Sequence, residues 1–226
     1  MKKYSNILLA TILSTVILFS CKKSNTPVPK DYAASVAGKT WWGSLSYTRD
    51  TTQYYSVYFN TDNTFLWSQL SGDYTGKWSV NDKALTMSFD ANTAVIKATI
   101  TDDNKLTDIT DNTALYEIKS GQRIENPSIP LDNTVWNGWV YPIVSTGTLT
   151  PIKLSFLPGN AITIVKAGVS FGPYAYTRSA SGAVIKTNHI IINPNFTGPF
   201  FCVITSSTEM KGSDAGAPFR WNVIKQ

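Results

Sequence analysis

The residues able to do covalent chemistry are few and scattered. His189, the one histidine among 226 residues, opens "HIIINPN", a strand-like run. No second imidazole or paired thiolate stands ready to complete a metal site with it. Cys202 lies in "PFFCVITS" between apolar neighbours, as a small core residue does. A Cys–His nucleophile pair would need these two side chains facing each other and a third, orienting group, which the sequence does not supply. The carboxylates Asp62, Asp82, Asp90, Asp102, Asp103, Asp108 and Asp111 fall in turns, where aspartate caps its own backbone. Asp102-Asp103-Asn104 lacks the ordered oxygens and distal glutamate of a calcium loop, and no two carboxylates are set to face each other across a glycosidase cleft. There is no phosphate-cradling glycine loop and no G-x-S-x-G, so the expectation is a protein that is no enzyme and holds no metal.

Binding chemistry is better represented. Trp41, Trp42, Trp67, Trp78, Trp136, Trp139 and Trp221, with Tyr54, Tyr55 and Tyr58, supply bulky rings that either exclude voids from a small core or line a site. The candidate ligand-binding residues are Trp42, Tyr58, Trp67, Trp78, Trp136 and Trp221. Tyr54 and Tyr58 fall on the strand face opposite Tyr55 and Phe59. If the latter face the core, the two tyrosines are exposed and could stack on a sugar ring or a protein partner.

The elements that position these residues read as short strands. Tyr55, Val57 and Phe59 alternate with Tyr54, Ser56 and Tyr58; Leu85, Met87 and Phe89 alternate with Thr86 and Ser88; Ile152, Leu154 and Phe156 alternate with Lys153 and Ser155. Period two marks half-buried strands. Turn formers intervene at Asn60–Asn63, Asn81–Lys83, Asp103-Asn104 and Pro158–Asn160. About eight strands per half indicate an antiparallel meander closing as a barrel or flattened sandwich. At that strand number side chains can just fill the interior, or it can hold one small ligand.

The halves resemble each other. "GKTWWGSLSYT" from Gly38 matches "DNTVWNGWVYP" from Asp132, pairing Trp42 with Trp136 and Gly43 with Gly138. "VYFNTDNTF" matches "LSFLPGNAI", aligning Phe59 with Phe156, and "TGKWSVN" matches "FGPYAYT", aligning Gly76 with Gly172 and Trp78 with Tyr174. At the ends Tyr116 is set against Trp221 or Asn222. A tandem duplication is the expectation, with units at 37–120 and 132–226 joined by a linker at 121–131.

The N-terminus places the molecule. Lys2 and Lys3 precede an uncharged run, Ile7–Phe19, and small Ser20, the layout of a secretory signal too short to span a bilayer. Leu18-Phe19-Ser20-Cys21 resembles the bacterial lipobox, which implies removal of residues 1–20 and acylation of Cys21. Residues 21–36, with two prolines, read as a tether. The expected partner is thus a membrane, met through acyl chains rather than crossed, by default at the periplasmic side of the outer membrane, with surface display the alternative. The formal charge of +5 falls to +3 without Lys2 and Lys3, and no basic block lies beyond Lys22-Lys23, so nucleic acid is not an expected partner.

Thr40-Trp41-Trp42-Gly43, its counterpart at Thr134–Gly138, the hairpin Phe59–Phe65 and the strand Gly76-Lys77-Trp78 resemble the lipocalin-like β-barrel domains of Bacteroidetes lipoproteins. The resemblance covers nearly all of residues 37–226 as two units. It implies an all-β fold of two tandem eight-stranded meander barrels, no cofactor, and at most a small apolar ligand in a cup. The rival expectation is an envelope interaction module with solid barrels that contacts glycan or protein through exposed aromatics.

Overall fold

The computed structural model describes residues 30–47, 51–114, 116–141, 147–193, 196–214 and 220–226. The leader, Cys21 and the tether as far as residue 29 lie outside the described residues. In the first half β1 (Thr40–Tyr47), β2 (Thr51–Phe59), β3 (Thr64–Gln69), β4 (Gly72–Asn81), β5 (Ala84–Phe89), β6 (Val95–Ile100), β7 (Lys105–Asp111) and β8 (Tyr116–Ile124) form an antiparallel meander, and β8 returns to β1 to close the barrel. The second half contains β9 (Thr134–Tyr141), β10 (Thr150–Leu157), β11 (Ala161–Lys166), β12 (Val169–Ala175), β13 (Thr177–Arg178), β14 (Val184–Asn193), β15 (Phe196–Ile204), β16 (Glu209–Asp214) and β17 (Arg220–Lys225). Its order, β12-β11-β10-β9-β17-β16-β15-β14-β13, repeats the first barrel's with β17 in the place of β8. The fold is therefore two antiparallel barrels, as expected, but the second has nine strands. Its extra strand is the two-residue β13 between β12 and β14. Pro173, which has no N–H for a ladder, sits in β12 at the edge of the sheet.

A Trp-x-Gly unit opens each barrel. Trp41 in β1 and Trp136 in β9 are both fully buried, and each is followed two residues on by a glycine where the closing strand crosses. A Cβ on Gly43 would lie 1.8 Å from the Ser120 carbonyl oxygen, and one on Gly138 would lie 1.8 Å from that of Asn222. The true repeat therefore pairs Trp41 with Trp136, which corrects the expected pairing of Trp42 by one residue. Phe59 and Phe156 are equivalent as expected. Trp78 answers to Tyr176 rather than Tyr174: Trp78 meets Phe59 edge-on at 5.7 Å, and Tyr176 meets Phe156 at 5.5 Å. In the closing strands Ile118 pairs with Leu45 as Trp221 pairs with Val140, so Ile118, not Tyr116, is Trp221's counterpart.

The segments read as tether and linker both end inside the barrels. Residues Tyr32–Val36 form a short helix, α1, capped by Asp31, whose carboxylate accepts from the Ala34 N–H at 3.0 Å. Its Tyr32 and Val36, four apart on one face, join the first core. The Tyr32 hydroxyl donates to Asp102 at 2.5 Å. Before β9 the same task falls to Ile129 and Leu131, both buried in the second core. The Lys39 N–H donates to the Val36 carbonyl just as the Thr134 N–H donates to that of Leu131. The expected linker at 121–131 thus begins as the last four residues of β8 and ends as a plug.

A third apolar cluster joins the barrels. Val184, Phe201 and Val203 point away from the second core and pack with Ile124, Trp42, Tyr54 and Leu70 of the first barrel. The Tyr54 N–H donates to Ser213 Oγ at 3.4 Å, Lys186 pairs with Asp73, and the Lys211 ammonium stands 4.7 Å over the Trp42 ring. The second barrel's outer wall and the first barrel's outer wall are therefore a shared, partly dry seam.

Candidate functional site

The two ends of the first barrel differ. At one end α1, Trp41, Phe59 and Trp78 fill the interior, and Trp78 Nε1 donates to the Asn60 carbonyl at 3.1 Å. The other end, where β3 turns into β4, β5 into β6 and β7 into β8, holds a cup of about 250 Å³. Trp67, Tyr74, Phe89, Ile96, Tyr116 and Ile118 form its apolar wall, and Gln69, Asn92, Asp111 and Thr113 stand with them.

Alternation along each strand sets this lining. In β2 Tyr55, Val57 and Phe59 are buried inward as read, and Tyr55 stacks on Trp67 with centroids 4.1 Å apart and planes within 7°. This stack is the cup's floor. The Tyr55 hydroxyl donates to the Ser120 carbonyl at 2.7 Å, made accessible by a bulge in β8, and burial pushes the phenol's pKa well up, so it stays a neutral donor. Trp67 Nε1 donates to Gln69 Oε1 at 3.0 Å, and Gln69 Nε2 donates to Ser71 Oγ at 2.7 Å, which lies 3.1 Å from the Tyr74 hydroxyl. This chain fixes the indole and leaves its ring against the cavity. Phe89 meets Trp67 at 67° and Tyr74 at 76°, so the three rings stand as walls rather than as a stack.

Asp111 reaches the cup through a second bulge. Leu106 pairs with Ile100 and Thr107 with Thr99, then the register slips past Asp108, whose φ is +49°, and Asp111 pairs with the buried Ile96. Without the extra residue Asp111 would face outward. Its carboxylate accepts from the Thr113 N–H at 3.0 Å and the Thr113 hydroxyl at 2.6 Å.

Of the six candidate binding residues only Trp67 lines the cup. Trp78 closes the opposite end. Trp136 and Trp221 lie in the second core, where Trp221 stacks on Phe200 at 4.7 Å. A Cβ on Gly212 would meet the Trp221 ring at 1.8 Å, so this glycine makes the ring's place. Trp42 lies in the seam between the barrels, and Tyr58 is half-buried on the first barrel's outer wall. Tyr54, expected to be exposed beside Tyr58, is covered by the seam. Trp139, 48% exposed on the outside of the second barrel, is instead the exposed tryptophan among the described residues. Cys202 is buried in the second core 3.5 Å from Met210 Sδ, and burial raises its thiol pKa. His189 lies in β14. Tyr74, Phe89, Ile96, Tyr116 and Ile118 went unread as site residues, although all of them sit on apolar alternations.

No family model and no curated protein matches the chain. A solved structure that matches is kievitone hydratase from Nectria haematococca, at 12% identity and a TM-score of 0.25, over 90% of this chain and 94% of that one. Against the expectation of a chain that is no enzyme, the matching chain is a hydratase. At that TM-score the match assigns neither a reaction nor a substrate here.

Proposed function

We propose that this chain is a small-molecule-binding lipoprotein of the cell envelope, of the lipocalin-like type known from Bacteroidetes. The first barrel is the binding unit, and the second is a filled companion. The observation that carries the reading is the cup: one end of the barrel is plugged by α1, while the other keeps about 250 Å³ walled by aromatic and aliphatic side chains. A dry cavity of roughly 150 Å³ admits benzene, so this one has room for about two fused rings. Pockets that bind small ligands are commonly apolar with a few polar groups that fix orientation, as Gln69 and Asp111 do here. For the anchor the support is Leu18-Phe19-Ser20-Cys21 and the prolines that follow.

The test uses the full chain in non-ionic detergent, with detergent alone as blank. A two-ring fluorophore should bind saturably to the protein, and a variant Ile118→Trp should lose that binding while keeping its melting temperature. Binding unchanged in Ile118→Trp would place the ligand elsewhere and sink the cup. In cells the chain should partition with membranes and Cys21→Ser should release it; a membrane-bound Cys21→Ser protein would defeat the anchor.

A further inference from the structure

Resting on the reading of the cup as a ligand site, we infer that its ligand class is an organic cation, an amine or quaternary ammonium carried on a flat apolar body. Two observations converge on this. Trp67, Tyr74, Phe89 and Tyr116 put four aromatic rings around one small volume. Their mutual angles are steep where measured, 67° and 76° about Phe89, which makes a cage and not a slot for a stacked plane. Aromatic faces carry negative potential, and cages of this kind recognise ammonium groups.

The second observation is charge. Asp111 is the one ionisable carboxylate among the lining residues, and no lysine or arginine is described there. The two bonds from Thr113 occupy about half of a carboxylate's roughly four acceptor positions, and no donor in the lining is charged to neutralise it. A bulge is needed to turn this side chain inward, opposite buried Ile96. A neutral apolar ligand would leave the carboxylate facing it desolvated and unmatched, which is unfavourable. An anion would meet both the carboxylate and the negative ring faces. A cation satisfies both.

The experiment is calorimetric titration of the full chain in non-ionic detergent, at neutral pH and low salt, with three probes of one shape: naphthylmethylamine, naphthylmethanol and naphthoate. The amine should bind about tenfold more tightly than the alcohol, a difference within reach of a cation over aromatic faces beside a carboxylate, and naphthoate should bind weakest. Asp111→Asn, which keeps the shape and Oδ1 as acceptor for the Thr113 N–H while its Nδ2 turns to donate to the Thr113 hydroxyl, should reduce the amine's affinity severalfold and leave the alcohol's within about twofold. If the alcohol binds as well as the amine, or if Asp111→Asn leaves the amine-to-alcohol ratio unchanged, the cation is refuted while the cup stands. If none of the three binds, the cup reading falls and this inference falls with it.

Discussion

At the scale of single residues, one position separates the two barrels. Ile118 in β8 and Trp221 in β17 hold the same place in the repeat, each paired with the aliphatic residue two positions after the glycine of the Trp-x-Gly unit. In the first barrel the smaller side chain borders the cup. In the second, the indole fills that level against Phe200, over a glycine that yields it space. Trp221→Ala should therefore cost about 3–5 kcal/mol of stability, as large core truncations do, measured by urea unfolding with the denaturant slope held constant. A loss below about 1 kcal/mol would mean the ring does not support the core. The letters alone could not show this difference. "GKTWWGSLSYT" offers two adjacent tryptophans, and alternation with Leu45 sets Trp41 inward while Trp42 shares its face with Ser44 and Ser46. A close approach agrees: the glycine must lie under the closing strand, and that puts Trp41 inside and Trp42 in the seam. Asp111, by contrast, was hidden. Its strand breaks period two at Asp108, so a residue that lines the cup reads as one more turn aspartate.

At the scale of elements, the strands were the legible part. Alternation in β2, β5 and β10 named the inward residues correctly, and the turn formers marked the hairpins. What composition concealed were the plugs. Asp31–Val36 and the run to Leu131 are short, flanked by prolines or polar residues, and too brief for periodicity to register. Their apolar residues are buried only because a barrel end waits for them. A prediction separates plug from linker. Leu131→Ala should cost about 2–5 kcal/mol in chemical denaturation if the side chain is core, whereas a surface linker residue would change stability by no more than about 0.5 kcal/mol.

At the scale of the whole molecule, the barrels share a seam that the sequence signalled in a form easily passed over. "FFCVI" is a continuous apolar run, not an alternation, and continuous runs belong to strands buried on both faces. Phe200 and Cys202 enter the second core while Phe201 and Val203 enter the seam. A charge placed there should part the two units. Val203→Asp buries an unpaired carboxylate and should destabilise by about 3 kcal/mol or more, splitting one calorimetric transition into two. A single transition at the original temperature would show that the seam does not couple the barrels.

Trp221 has a consequence that reaches across the seam. It is a permanent occupant, covalently supplied, where the first barrel keeps a cup that, on the proposed reading, is filled from solution. Binding to the native state alone adds RT ln(1 + [L]/Kd), about 2.7 kcal/mol at a hundredfold excess over Kd, comparable to what a buried aromatic contributes. On the reading proposed above, a ligand would complete the first core only after synthesis, and the seam would pass the added stability on to the second barrel. The lifetime of the whole molecule would then rise with the supply of its ligand.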